Sequence, residues 1–225
     1  MKQIISFLFI IILFTSCNSN DDNVIYIPGR LFNYQVSYIN DVDEIVKTQK
    51  LNLKVTKGYY PERIQTQIIW ELLDIGDEET IVSTNKTGVI DDVNAGFFIH
   101  QPRIDDMYIL SFANFPTIGM DVIRDSSLVR ISEGTVLMRK SYNGITITKV
   151  HTKQKYSGKT SIQLSTIGKR RVHLMKSSAT SEIGTIYGDF YFDEELGFVK
   201  FNYELPNNEK IIIELTGTSF EINSN

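Results

Sequence analysis

The sequence predicts an all-β fold: an antiparallel meander that forms a curved sheet, a half-open barrel or a two-sheet sandwich. Apolar and polar residues alternate with a period of two from residue 32 to the end of the chain. This alternation is typical of antiparallel strands with one buried face. A long stripe with the 3.6-residue period of a helix is missing, and glycine-containing turn signals separate the alternating segments.

Individual strands follow from the alternation. Tyr34, Val36 and Tyr38 share one face, and in the segment 64–72 Trp70 lies on the apolar face. Further strands are predicted around 51–55, 79–84, 95–100, 107–112, 128–131, 135–140, 144–154, 160–164, 171–177, 190–192, 199–205 and 211–215. The one candidate helix lies near 116–126.

The N-terminus carries an export signal. Lys2 precedes an apolar run over residues 4–14, and the small residues Thr15 and Ser16 precede Cys17, the only cysteine. This order of segments predicts a secretory signal. The apolar run is too short for a transmembrane helix, which needs about 20 residues. A single cysteine in an exported chain cannot close an internal disulfide, so Cys17 needs another role.

Thr15-Ser16-Cys17 resembles the lipobox of bacterial lipoproteins, although Phe14 stands where leucine is usual. In that family the cysteine is diacylated and becomes the first residue of the mature protein. The resemblance therefore implies lipidation at Cys17 and a membrane anchor without a transmembrane helix. Each buried methylene of such a chain contributes about 0.8 kcal/mol. An ordinary cleaved signal with an incidental cysteine is the alternative.

Residues 18–23 form a polar, acidic stretch that cannot pack into a core and is predicted to be a tether. With Asn18, Asp21 and Asp22 it resembles the export signal that follows the cysteine in surface lipoproteins of Bacteroidota. This resemblance implies the outer membrane, with its outer face preferred over the periplasmic face. A solvated linker is the alternative.

The predicted organisation has three parts. Residues 1–16 form a lipoprotein signal peptide, and residues 17–30 form the lipidated cysteine with a flexible polar tether. Residues 31–225 form a single antiparallel β domain, which is long enough for a substantial core.

The charge of the chain argues against nucleic acid as a partner. The formal net charge is −4, and Lys169-Arg170-Arg171 is the only basic cluster. Nucleic-acid-binding proteins carry a clustered positive surface, so this cluster is interpreted as a solvated turn. The predicted partners are the membrane, through the lipid anchor, and either an envelope protein complex or a glycan or lipid ligand.

Catalytic and metal-binding motifs are missing from the sequence. His100, His151 and His173 have no metal-ligand spacing, and no G-x-S-x-G nucleophile motif occurs. Adjacent acids such as Glu194 and Glu195 are expected to be solubilising turn residues, because glycoside hydrolysis needs carboxylates that face each other. We therefore predict a protein that is not an enzyme and has no metal or cofactor.

One internal stretch could contact a ligand. His100, Gln101 and Arg103 bring several hydrogen-bond donors to one strand exit, and Phe98 and Phe115 offer stacking surfaces. These residues predict an anion or sugar contact, with Arg103 as a bidentate donor. A structural corner, whose polar groups satisfy loop backbone, is the alternative.

The stretch 96–116 and the stretch 191–200 together resemble uncharacterised β-rich lipoproteins of Bacteroidota. The resemblance implies a fold style and brings no established activity. Three functions stay open. The preferred one is a non-catalytic envelope lipoprotein within a larger assembly. The second is a domain that binds a glycan on a concave face or a lipid inside a half-open barrel. The third is a hydrolase with facing carboxylates.

Overall fold

The computed structural model describes residues 24–61, 65–74 and 80–220. These residues form one twelve-stranded antiparallel sheet that curls into a half-barrel, so the all-β prediction is confirmed. The signal peptide, Cys17 and the predicted export-signal residues Asn18, Asp21 and Asp22 lie outside the described residues.

The chain forms its strands in the order that it runs, with two short helices in the middle. The strands are β1 (Arg30–Ile39), β2 (Ile45–Tyr60), β3 (Gln65–Asp74), β4 (Thr80–Asp92), β5 (Gly96–Ile99), β6 (Thr117–Gly119), β7 (Ile131–Tyr142), β8 (Ile145–Leu164), β9 (Gly168–Ser181), β10 (Gly184–Asp193), β11 (Gly197–Glu204) and β12 (Lys210–Phe220). A 3-10 helix covers Asp105–Phe112, and the helix α1 covers Met120–Arg124. No helix within the described residues has the length and apolar character that crossing a membrane requires.

The sheet consists of two meanders that join at its centre. Its strand order is β6-β5-β4-β3-β2-β1-β12-β11-β10-β9-β8-β7. The first and last strands, β1 and β12, pair in the middle, with Val36 opposite Ile213. The two edges, β6 and β7, are consecutive strands in the sequence, joined by α1 and a loop.

The core lies on the inner face of the curl. Trp70 of β3, Tyr34 of β1 and Phe201 of β11 are buried. The ring centres of Tyr34 and Trp70 are 5.7 Å apart, and those of Tyr34 and Phe201 are 6.1 Å apart. The interpretation of Trp70 as a core residue is confirmed. Because these rings come from both meanders, they tie the halves of the sheet together.

The strand predicted at 107–112 is wrong, since these residues form the 3-10 helix. Met107 and Leu110 are buried, as are Ile109 and Phe112. Each pair is three residues apart, which is the spacing that places side chains on one side of a 3-10 helix. The segment is apolar enough for a strand, but its buried residues follow a three-residue period. Their side chains close one end of the half-barrel.

Two of the observed strands, β7 and β8, had each been predicted as two separate strands. The segments 144–154 and 160–164 belong to the single strand β8, and the predicted turn at Gly158 (φ +93°) is a bulge within it. The segments 128–131 and 135–140 overlap one strand, β7, which begins at Ile131. A positive-φ glycine in a long strand favours a bulge as well as a turn. The candidate helix at 116–126 is confirmed over α1 only, because β6 precedes it.

The packed domain begins before residue 31. Ile25 and Tyr26, which fall within the predicted tether, are 2% and 0% exposed. The carboxylate Oδ2 of Asp91 accepts the backbone N–H groups of Ile25 and Tyr26 at 2.7 and 2.6 Å. The backbone N–H of Phe198 donates to the Tyr26 hydroxyl at 3.0 Å. We call Ile25, Tyr26, Asp91 and Phe198 the N-terminal clamp. The part of the predicted tether from residue 24 onward is therefore packed against the sheet.

Candidate functional site

The structure brings four of the five predicted contact residues together in an aromatic corner, defined as Phe98, His100, Arg103 and Phe115. The ring centre of His100 is 4.9 Å from that of Phe98 and 4.8 Å from that of Phe115. The Arg103 guanidinium carbon is 5.2 Å from the centre of the Phe115 ring, within the range of a cation–π contact. The corner forms where β5 ends and the chain leaves the sheet.

His100 is held in its neutral form in this corner. Nη2 of Arg103 lies 3.0 Å from Nδ1 of His100. Because a guanidinium only donates hydrogen bonds, Nδ1 is the acceptor and the imidazole proton sits on Nε2. Burial and the neighbouring charge of Arg103 lower the pKa of His100 to about 4. At neutral pH the corner therefore contains one cation, Arg103.

Gln101 points away from the aromatic corner, as expected for adjacent residues of an extended chain. Its side chain is fully buried, and its Nε2 donates to the carbonyl of Leu110 at 2.6 Å. Gln101 therefore holds the 3-10 helix in place. Gln101 was predicted as a ligand contact, but its side-chain amide is bound to the protein's own backbone.

Much of the corner serves the fold. Nε1 of Trp70 donates to the carbonyl of His100 at 2.9 Å, and the backbone N–H of His100 donates to the carbonyl of Gly88 at 3.1 Å. These bonds satisfy the backbone N–H and carbonyl groups of His100 at the end of β5. They agree with the alternative interpretation of this stretch as a structural corner. Within the described residues, Nε of Arg103 and the hydroxyl of Tyr203 are buried without a hydrogen-bond partner.

The depressed pKa of His100 predicts that the protein loses stability in mild acid. Between pH 6.5 and about 4 the unfolded imidazole binds a proton while the folded one stays neutral. In this pH range the unfolded state holds more protons than the folded state. The free energy of unfolding therefore decreases as the pH is lowered, by up to about 3 kcal/mol. We expect His100→Gln to reduce this fall, measured by urea unfolding at pH 7.5 and 4.5.

The matched control is His151→Gln, because His151 is exposed on β8 and contacts Thr135. This variant should keep the pH dependence of the wild type. An equal fall for the wild type and for His100→Gln would contradict the assignment to His100.

A second polar network was not predicted from the sequence. Nδ1 of the buried His173 lies 2.9 Å from the hydroxyl of Tyr156, and its Nε2 lies 2.9 Å from Oε1 of Glu194. Nζ of Lys159 donates to the same carboxylate oxygen at 2.8 Å. Burial lowers the pKa of His173, whereas hydrogen bonds from Lys159 and His173 lower the pKa of Glu194. The network connects β8 and β9 to the turn after β10 by hydrogen bonds.

No local motif marks this network. His173 and Glu194 are 21 positions apart, and only the pairing of β9 with β10, which sets His173 opposite Phe192, brings them together. The histidine and the acid were visible in the sequence, but their contact depends on tertiary register.

The basic cluster lies at the start of β9 rather than in a turn. Arg170 forms a bidentate pair with Asp193, at 2.9 and 3.3 Å, and a 2.9 Å pair with Glu195. Lys169 and Arg171 are exposed, and within the described part of the chain they form no ion pair. Together with Lys159 and Glu194 these residues line an open cleft of ≈ 350 Å³.

No protein-family model and no curated protein sequence matches the chain. Among solved structures, a Bacteroides fragilis protein described as exported and as having a YmcC-like fold matches with a TM-score of 0.51 and 9% identity, over 85% of this chain and 96% of that chain. The half-barrel is therefore similar in fold to that protein. A Parabacteroides distasonis protein that is described as a putative lipoprotein has a TM-score of 0.44 at 13% identity, over 88% of this chain and 100% of its own. YmcC of Escherichia coli K12, described as a hypothetical lipoprotein, has a TM-score of 0.40 at 9% identity, over 90% of this chain and 92% of its own.

Within the described residues of the half-barrel, no three His, Cys, Asp or Glu side chains are placed to hold one metal ion. A smaller cleft of ≈ 140 Å³ lies between β6 and β8 and is lined by Thr117, Gln154 and Tyr156. The carboxyl groups near the larger cleft are engaged with Arg170, Lys159 and His173.

Proposed function

We propose that this chain is a lipid-anchored protein of the cell envelope, attached to the outer membrane through Cys17. In this proposal it is a non-catalytic component of an outer-membrane or surface assembly. The observation that carries the proposal is the sequence Thr15-Ser16-Cys17 at the end of the apolar run, six residues before the clamped domain begins at Val24. The description of the Bacteroides fragilis neighbour as exported supports a location in the cell envelope.

The exposed edge of the sheet favours an assembly over an isolated protein. Among the strands that the structure describes, β7 pairs with β8 alone and lies at one edge. Leu137 in β7 is 78% exposed, and Val129, just before the strand, is 75% exposed. A long edge strand with exposed apolar side chains is suited to pairing with an added strand of a partner protein.

In this proposal the three histidines have structural roles. His100 accepts a hydrogen bond from Arg103, His173 lies between Tyr156 and Glu194, and His151 contacts Thr135. Each imidazole is engaged with groups of the protein itself, as in a structural network.

Ligand binding at the aromatic corner is the second candidate function. The observation in its favour is Arg103, a half-buried cation whose Nε has no hydrogen-bond partner within the described residues. Met107, Leu110 and Phe112 of the 3-10 helix fill the interior beside it. Because these side chains fill the interior, a glycan or an anionic ligand at the corner is favoured over a lipid inside the half-barrel.

Substituting Cys17 tests the anchor. We expect Cys17→Ala to abolish metabolic labelling by a fatty acid and to shift the protein to the mobility of the uncleaved precursor. Ser16→Ala keeps a small residue before the cysteine, so it should be labelled and processed like the wild type. If Cys17→Ala stays membrane-associated with unchanged mobility, the lipoprotein proposal is wrong.

A further inference from the structure

We infer that the first part of β7 pairs with the same segment of a second copy of this chain, so that the protein forms a symmetric dimer. The segment is Ile131–Leu137, and we call it the open edge. The two segments run antiparallel, and the twofold axis passes through Gly134. The inference rests on the assembly role in the proposed function and names the first partner in that assembly.

The open edge is uncovered on its free side and on both of its faces. All seven of its residues are exposed. β8 occupies one side of the strand, so the backbone N–H and carbonyl groups of the other side are free to bind a further strand. Apolar side chains are equally exposed elsewhere, as Val42 is in the turn after β1. The open edge differs because it combines apolar side chains with a free strand edge.

A bulge limits the length of β7 that a second strand can pair with. The register between β7 and β8 shifts between Leu137 and Lys140, and a bulge disrupts the regular ladder. The regular stretch is therefore Ile131–Leu137, with Gly134 at its middle. Two antiparallel copies of this stretch pair over their full length only when their middle residues face each other. A glycine within a strand is typical of a place where another backbone approaches closely.

The side chains of the two copies complement each other in this register. Glu133 forms an ion pair with the exposed Lys153 of β8 at 2.7 Å, so its side chain lies on the outer face. Alternate residues share a face, so Ile131, Thr135 and Leu137 lie there too. Ile131 of each copy is opposite Leu137 of the other, which gives two apolar cross-strand pairs. Glu133, the one charged residue of the segment, is opposite Thr135 and keeps its own lysine.

The other edge of the described sheet is not an equivalent partner for β7. β6 has three residues, Thr117–Gly119. Nε2 of Gln154 donates to the carbonyl of Thr117 at 2.5 Å, so part of this short edge is already bound. Pairing of β7 with β6 of the next copy would also continue without closing, whereas pairing of β7 with β7 closes as a dimer. The second copy therefore binds through its own open edge.

Disulfide cross-linking of the full chain tests the axis at Gly134. The nearest atom to a Cβ added at this glycine is Oγ1 of Thr152, at 3.5 Å, so Gly134→Cys fits the strand. Facing residues of antiparallel strands have Cα atoms about 4.5–5.5 Å apart, which is within the range of a disulfide. We expect mild oxidation of membranes that contain Gly134→Cys to give a dimer band on a non-reducing gel.

Two controls accompany the cross-linking. Val136 faces Ser132 of the second copy in this register, so the two Val136 residues lie about 13 Å apart along the strands. We therefore expect Val136→Cys to give no dimer band. The wild type is the control for Cys17, because an acylated cysteine forms no disulfide.

Light scattering of the detergent-extracted protein, corrected for bound detergent, measures the dimer itself. Leu137 is 78% exposed, so Leu137→Lys keeps the fold and places a charge opposite Ile131 of the second copy. We expect the wild type to be a dimer and Leu137→Lys to be a monomer at the same concentration. The matched control is Val42→Lys, because Val42 is 67% exposed and lies outside the open edge. This variant should be a dimer.

The outcomes separate this inference from the proposed function. A monomeric wild type or a dimeric Leu137→Lys overturns the inference. Cross-linking of Val136→Cys in place of Gly134→Cys overturns the axis. If Gly134→Cys cross-links only to a different protein, the second copy is the wrong partner and the proposed assembly role stands. If the wild type itself cross-links, Cys17 has a free thiol and the proposed lipid anchor is wrong, whereas light scattering still decides whether the dimer forms.

Discussion

Trp70→Ala is expected to lower the free energy of unfolding by about 5 kcal/mol. Trp70 is fully buried between the two meanders, and its ring packs on Tyr34. Removing a buried tryptophan costs about 3–5 kcal/mol. The loss of its hydrogen bond also leaves the carbonyl of His100 without that donor, which adds about 1–3 kcal/mol. Urea unfolding followed by circular dichroism measures the change.

The control for this substitution is Trp70→Phe. Phenylalanine keeps most of the ring packing and loses the hydrogen bond to the carbonyl of His100, so its cost should be well below that of alanine. Equal losses for the two variants would show that the hydrogen bond, and not the packing between the meanders, dominates at this position. A loss below about 1 kcal/mol for Trp70→Ala would contradict a packed interior at this site.

Asp91→Ala is expected to destabilise the protein by about 2–4 kcal/mol and to release the N-terminal segment. The substitution removes the acceptor of two buried backbone N–H groups, those of Ile25 and Tyr26, each worth about 1–3 kcal/mol when left unsatisfied. Burial raises the pKa of Asp91, while the backbone hydrogen bonds oppose this rise. The backbone bonds therefore favour the charged form of this carboxyl group.

Trp70 is the only tryptophan, so its fluorescence reports the global unfolding of the Asp91 variants, and hydrogen exchange at Ile25 and Tyr26 reports the local release. Asp91→Asn keeps an acceptor oxygen and should retain most of the protection of these two amides. Fast exchange in Asp91→Asn, or unchanged exchange in Asp91→Ala, would contradict the role of the clamp.

Much of the fold could be predicted because most strands have one buried face. The alternation around Tyr34, Val36 and Tyr38 gave the correct buried face of β1, and Trp70 lies in the core as predicted. The sequence could not show that β1 pairs with β12 at the centre of a single sheet, because strand order depends on contacts between distant segments. The 3-10 helix was missed because an apolar run of six residues fits more than one period.

The candidate site was less accessible to sequence reasoning. The grouping of Phe98, His100, Arg103 and Phe115 follows from their closeness in sequence around one strand exit, so it could be anticipated. The direction of Gln101 depends on where the 3-10 helix packs. The contact between His173 and Glu194 depends on the register of β9 and β10. The role of the aromatic corner as a ligand contact stays a prediction.

The mass of the N-terminal peptide of the mature protein shows whether Cys17 is lipidated. The protein is extracted from cell membranes, digested, and its N-terminal peptide is identified by mass spectrometry. We expect a peptide that begins at Cys17 and carries the added mass of acyl chains on that residue. A peptide that begins at another residue, or one in which Cys17 is unmodified, would contradict it.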